Sequence, residues 1–289
     1  MKVFITGSNG QLGRELSRQL QAKCIDYSGY DIPELDITDK VQTAALIQKE
    51  APDIIINCGA MTNVDGCESN SIGAERVNAD GPKNLAEIAR DLDLVLVQVS
   101  TDYVFDGEGI SVNGEKRPYV ETDAIDPQTV YGVSKAHGEA YVSEIAPKHF
   151  IVRTAWLYGD GNNFVKTMLR LAESHDQITV VADQIGSPTS TVDLATAILN
   201  LIETKAYGTY HATCEGQCSW YDFAKKIFEL CNIGIQVDPV SSEEYISPTP
   251  RPKYSVLKNK GLSDLGINTF RPWEDALVEY LDWLKGKQI

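Results

Sequence analysis

Short apolar runs alternate along this chain with longer stretches that carry one apolar face. Lys2–Thr6 has three consecutive apolar residues and reads as a strand buried on both faces. Leu12, Leu16 and Leu20 then recur every four residues, one face of a helix ending near Ala22. Cys24–Tyr30 reads as a second strand, broken by Gly29, and a helix follows from about Asp39 to Glu50. Asp53–Cys58 is a third, strongly apolar strand. A helix around Gly73–Leu92, carrying Asn78, leads to a fourth strand at Leu94–Val99. The segment Asp106–Gln128 lacks periodicity and is rich in glycine, proline and charge, the composition of a functional loop such as a lid.

The alternation resumes with a helix carrying Tyr131 and Lys135, then a strand at His149–Arg153. Asn162 and Asn163 are placed to cap a helix running to about Ser174, and Ile178–Ala182 reads as a sixth strand. A helix over Val192–Glu203, a short strand at Gly208–Ala212, a helix from Trp220 to Leu230 and a closing helix over Pro272–Lys285 complete the chain. Such alternation predicts an α/β fold with a doubly wound parallel sheet. Residues 1–155 are expected to form a dinucleotide-binding domain completed by parts of 176–213. Residues 156–289 are expected to be mainly a smaller C-terminal substrate-binding lobe.

Composition narrows the function. With 289 residues and 43% hydrophobic content, the chain can bury a large core, and no run of 18 apolar residues is present to span a membrane. A formal charge of −15 argues against nucleic-acid binding, which rests on neutralising phosphates. The six cysteines show no disulfide framework and the N-terminus lacks the apolar region of a signal peptide, so a cytoplasmic protein is expected. His211, Cys214 and Cys218 lie close in sequence but lack a C-x-x-C element or an obvious fourth ligand, and no metal centre is expected from them.

The chemistry begins at Gly7-Ser8-Asn9-Gly10-Gln11-Leu12-Gly13, a G-x-x-G-x-x-G pattern between strand and helix. Glycines there permit a tight turn and let a pyrophosphate approach backbone N–H groups, which marks the sheet as Rossmann-type. Asp31, 18 residues after Gly13, is a candidate for the adenosine ribose, with Asp36 and its neighbour Ile37 as a second possibility. Cys58, Gly59 and Ala60 end the third strand, where a cofactor would pass, and Thr62 and Val64 follow. Ser100 and Thr101 end the fourth strand. Tyr131 and Lys135, four apart, share a helix face, where an ammonium favours the phenolate of a proton-transferring tyrosine. Trp156 suits either stacking on a sugar or nicotinamide or a place in the core, and Arg251 and Lys253 suit either a diphosphate or a solvated surface.

A glycine fingerprint, Thr101 at a strand end and Tyr131/Lys135, in that order, resemble the extended short-chain dehydrogenase/reductase family. Ser100–Phe105, Arg153–Gly159, Gly161–Phe164, Asp183–Thr189 and Arg251–Ser255 resemble, more narrowly, the branch that reduces the C4 ketone of dTDP-4-dehydro-L-rhamnose. The resemblance implies hydride from NADPH or NADH, a proton from Tyr131, a hydrogen bond from Thr101 to the reacting oxygen, and Lys135 on the nicotinamide ribose. It implies a dTDP-sugar site lined by Thr62, Val64, Thr101, Asp102, Tyr103, Tyr131 and Trp156, with Asn163 and Arg251 nearby. Some members form a magnesium-bridged homodimer through glutamates; Glu15 fits one such position, but Val192 stands where a second is expected. Two other readings stay open: an epimerase or dehydratase of the same family, using Asp102 as an acid, and a non-catalytic regulatory subunit.

Overall fold

The computed structural model describes residues 1–245 and 247–287. At its centre, six parallel strands form one sheet: β1 (Lys2–Thr6), β2 (Asp26–Tyr30), β3 (Ile54–Asn57), β4 (Val95–Thr101), β5 (His149–Thr154) and β6 (Gly208–His211). They lie in the order β2-β1-β3-β4-β5-β6. Between β1 and β3 the winding reverses, and the crevice beyond their C-terminal ends is where such sheets bind ligands.

Both sheet faces are apolar, which is why the strands read as runs rather than alternations. Val3, Ile5, Ile56 and Val97 pack with Leu12, Leu16 and Leu20 of helix α1 (Gln11–Ala22). Phe4, Ile55, Leu96 and Ile151 pack on the other face. Their partners include Ile47 of α2 (Lys40–Glu50), Leu85 of α3 (Gly81–Asp91) and Val142 of α4 (Val130–Ile145). The helical run before α3 contains a π turn at Arg76–Asp80, a feature that often sits near functional sites.

Helices α5 (Phe164–Ala172), α6 (Thr191–Ile202), α7 (Trp220–Cys231) and α8 (Trp273–Lys287) follow. The run expected as a sixth strand, Ile178–Ala182, forms a strand at Gln177–Val181 that lies outside the central sheet. It pairs in parallel with Gln236–Val240, a strand the apolar pattern does not announce because Asp238 and Pro239 interrupt it.

The segment expected as a lid is tied down. It contains a hairpin of Ile110–Val112 with Glu115–Arg117. Tyr119 is fully buried, its ring stacked on Phe105, and its hydroxyl donates to Asp106. Its backbone straps the C-terminal tail: Tyr119 N–H donates to Val256 O at 2.9 Å, and Tyr119 O accepts from Lys258 N–H at 2.8 Å. Tyr254 N–H also donates to Gly107 O. The loop therefore holds the tail in place.

Candidate active site

A cavity of about 1000 Å³ opens over the C-terminal ends of the sheet strands. Its floor is made by the glycine loop. Gly7 has φ +64°, and a side chain there would reach within 2.6 Å of Gly59 N, so β1 and β3 touch through bare backbone at the reversal point. A Cβ on Gly13 would lie 2.3 Å from Gly7 O. Helix α1 starts at Gln11 with no capping side chain and no acidic residue in its first turn. Its first N–H groups and positive dipole end are left for an anion, so these residues fit a dinucleotide pyrophosphate.

Beneath the floor runs a buried polar ladder that the sequence reading missed. Thr6 Oγ1 donates to Asn57 Oδ1, and Asn57 Nδ2 donates to Gln98 Oε1 at 2.7 Å. These three residues are register partners on β1, β3 and β4, and Asn57 Oδ1 also accepts from Gly59 N–H. Polar residues inside otherwise apolar strands were the available signal.

On the opposite wall stand Thr101, Asp102, Tyr103, Tyr131 and Lys135. Thr129 caps α4 through a hydrogen bond from Gly132 N–H, which sets Tyr131 and Lys135 in the first two turns. The cap works because Thr129 is extended while the chain beyond it is helical. Lys135 is buried and its Nζ donates to Val99 O at 2.7 Å, pinning α4 to β4. Burial pushes its ammonium down to about 8, against the pull of Glu139.

Tyr131 is nearly buried and its ring meets Tyr103 edge-on at 5.4 Å. The sequence argument expected Lys135 to lower this phenol. The structure differs: burial drives Tyr131 upward, the Thr101 hydroxyl opposes this, and the nearby Asp102 adds to the rise. Lys135 is engaged instead with the Val99 carbonyl. Asp102 is itself pushed up to about 6, chiefly by burial and against hydrogen bonds from Ser255 and Thr101. The Thr101 hydroxyl donates to Asp102 Oδ1 at 3.0 Å and accepts from Tyr103 N–H at 3.2 Å.

Of the residues expected to bind cofactor, Gly10, Gln11, Leu12, Gly13, Cys58, Ala60, Thr62, Ser100, Tyr131 and Lys135 line the cavity. Gly7 and Gly59 lie under it as the backbone contact just described. Asp31 sits at the end of β2 and accepts from Asn9 N–H at 2.9 Å, which ties it to the glycine loop. Asp36 points to solvent and accepts from Thr38 N–H, while Ile37 is a core residue against Gly81, so neither is brought to the cavity wall.

Among the expected substrate residues, Thr62, Val64, Asp102, Tyr103, Trp156 and Arg251 line the cavity. Arg251 Nη2 pairs with Asp65 at 2.9 Å, joining the tail to the loop after β3. Asn163 does not reach the wall. Its Oδ1 caps α5 and its Nδ2 donates to Gly159 O and Tyr280 Oη, so helix capping consumes the side chain. Trp220, Phe164, Gln184 and Ser255 join the lining without having been expected there. Asn78, from the π turn, clamps the site from behind: its amide bonds Met61 N–H, Met61 O and Ser134 Oγ.

Glu15, the one position offered for a magnesium ligand, is engaged within its own helix. Its carboxylate accepts from Arg18 Nε at 2.8 Å and Gln19 Nε2 at 2.7 Å, and Val192 offers only its backbone carbonyl, to Gln19. His211 Nδ1 faces the Tyr119 carbonyl and Cys214 Sγ faces Asp193, and among the described residues no cluster of metal ligands forms.

The family model described as the RmlD substrate binding domain matches residues 1–285. A dTDP-4-dehydrorhamnose reductase of Mycobacterium tuberculosis is 42% identical over 284 residues, covering 97% of this chain and 92% of the relative. The crystal structure of a dTDP-4-dehydrorhamnose reductase from Clostridium acetobutylicum superposes with a TM-score of 0.95. It is 49% identical, with 99% of this chain and 100% of that one covered. The Bacillus anthracis enzyme of the same name, solved in complex with NADP, gives a TM-score of 0.92 at 44% identity over 97% and 98% of the two chains. The chain belongs to the RmlD substrate binding domain family, among relatives named dTDP-4-dehydrorhamnose reductases.

Proposed function

We propose that this protein reduces the C4 ketone of dTDP-4-dehydro-L-rhamnose to dTDP-L-rhamnose, using NADPH or NADH. The observation that carries the reading is the meeting of Thr101, Tyr131 and Lys135 in one cavity with the uncapped, glycine-lined start of α1. A nicotinamide nucleotide held here would supply the hydride for C4. The glycine loop and α1 bind its pyrophosphate, Asp31 the adenosine end, and Lys135 the nicotinamide ribose.

Tyr131 delivers the proton to the C4 oxygen. Burial keeps the phenol protonated, the form a reduction consumes. Thr101 hydrogen-bonds the same oxygen, and its hydroxyl turns from Asp102 to do so. Asp102, Tyr103, Thr62, Val64 and Trp156 hold the sugar, and Arg251 the diphosphate. Hydride and proton together balance the conversion of ketone to alcohol.

We assign residues 1–155, completed by β6, to the cofactor and most of the remainder to the sugar nucleotide. Six free cysteines and a small phosphorylated substrate suit the cytoplasm. No helix among the described residues is long and apolar enough to cross a membrane.

The test is NADPH and NADH oxidation with the dTDP-4-keto-6-deoxy sugar, with and without its 3,5-epimerase. Consumption that requires the epimerase supports the reading. Consumption without it points to the D-configured sugar, and none, with cofactor still bound, sinks the reading.

A further inference from the structure

The indoles of Trp156 and Trp220 lie parallel, 3.4 Å apart with 6° between their planes, and both line the cavity. Trp156 follows β5 in the left-handed region, at φ +47°, a conformation that a bulky residue holds only when its surroundings impose it. Those surroundings come from three separate segments of the chain. Ile185–Gly186 pairs antiparallel with Cys218–Ser219, and a side chain at Gly186 would come within 2.4 Å of the Trp156 ring. Ser219 begins α7 with a reciprocal capping box to Asp222, which fixes Trp220 as the first helical residue. Phe164, the first residue of α5, packs on Trp220 at 4.6 Å.

We propose that Trp220 is a positioning residue for the sugar site: stacked on Trp156, it holds that indole in the pose that faces the substrate. The inference rests on the reductase reading above. Trp220 acts through its neighbour, so its removal matters only while Trp156 is present. Shape and stacking carry the effect, so another aromatic ring serves and an aliphatic side chain of similar bulk does not.

The experiment is a double-mutant cycle on kcat/KM for the dTDP-sugar, with the Kd for NADPH and the thermal midpoint measured on each variant. Trp220→Leu is expected to raise KM for the sugar roughly tenfold, on the scale of a lost stacking contact, with NADPH binding unchanged. Trp220→Phe should stay within about threefold of wild type. In a Trp156→Ala background, Trp220→Leu should add less than about threefold, since the indole it positions is gone. Additive losses, or equal behaviour of the Leu and Phe variants, would overturn the proposal while the wild type still turns over. A wild type that does not reduce the sugar overturns the functional reading, and the positioning role with it. Should Trp220→Leu fail to fold, Trp220→Met and Trp220→Phe carry the same comparison, and equal KM values for those two overturn the proposal.

Discussion

Lys135 Nζ lies 2.7 Å from the carbonyl oxygen of Val99, so the helix that carries Tyr131 is fastened to the strand that carries Thr101. Burial holds this lysine at about 8, below its ordinary 10.5. A depressed lysine costs the folded state while both states are protonated. The cost is relieved as pH rises through about 8 toward the unfolded value, where the unfolded chain binds more protons. The unfolding free energy of wild type should therefore gain on that of Lys135→Met between pH 8 and 10, measured by urea titration at each pH. A difference that stays flat across that range contradicts the burial argument.

Asp102 makes a second prediction. It accepts the Thr101 proton as a carboxylate, and burial places its titration near 6. Below that pH the neutral carboxyl accepts more weakly and can itself donate, so the orientation in which it holds the Thr101 hydroxyl changes. The profile of kcat/KM against pH should show an acid limb near 6 in wild type that disappears in Asp102→Asn. An unchanged limb in that variant would assign it to another group.

Tyr131→Phe removes only the phenolic proton from the cavity. Turnover should fall by roughly 10²–10⁴-fold, the usual worth of a positioned proton donor, while the Kd for NADPH stays at the wild-type value. Fluorescence titration alongside steady-state rates separates the two. A variant with wild-type turnover ends the case for Tyr131 as donor.

Arg153 and Glu139 form a buried fork beneath the site, with Nε and Nη2 on the carboxylate and side chains 7% and 6% exposed. Arg153→Met leaves Glu139 charged and unpaired, and should cost about 3–5 kcal/mol in urea unfolding. Replacing both, as Arg153→Met with Glu139→Leu, should recover most of that loss. Equal destabilisation in the single and double variants would mean that the Arg153 guanidinium over the Phe105 ring, 5.1 Å from its centroid, rather than the pair with Glu139, is what matters.

Much of this was legible before the fold was known. Strand runs such as Val3–Ile5 and Ile54–Ile56 are buried on both faces of a parallel sheet, and such runs announce themselves. Gly7 through Gly13 and the Tyr131/Lys135 pair are local patterns whose spacing already implies their geometry. Other features were hidden because they depend on contacts distant in sequence. The stacking of Trp220 on Trp156 is set by the pairing of Gly186 with Cys218, 32 residues apart. Asn163 was legible as a cap, and its capping bonds keep it from the substrate wall. Tyr119 gave no periodic signal, yet its burial turns an apparent lid into a strap. The effect of Lys135 on Tyr131 was misjudged because spacing shows proximity but not desolvation.

The proposed reaction adds hydride to C4 with a proton from this cavity. Reducing dTDP-4-dehydro-L-rhamnose with deuterated NADPH, labelled on the transferred position, and reading the product by NMR tests it most directly. The account predicts one deuterium at C4 of dTDP-L-rhamnose, lost together with turnover in Tyr131→Phe. Deuterium at another carbon, or label that stays on the cofactor while the sugar changes, would contradict it and favour epimerase or dehydratase chemistry.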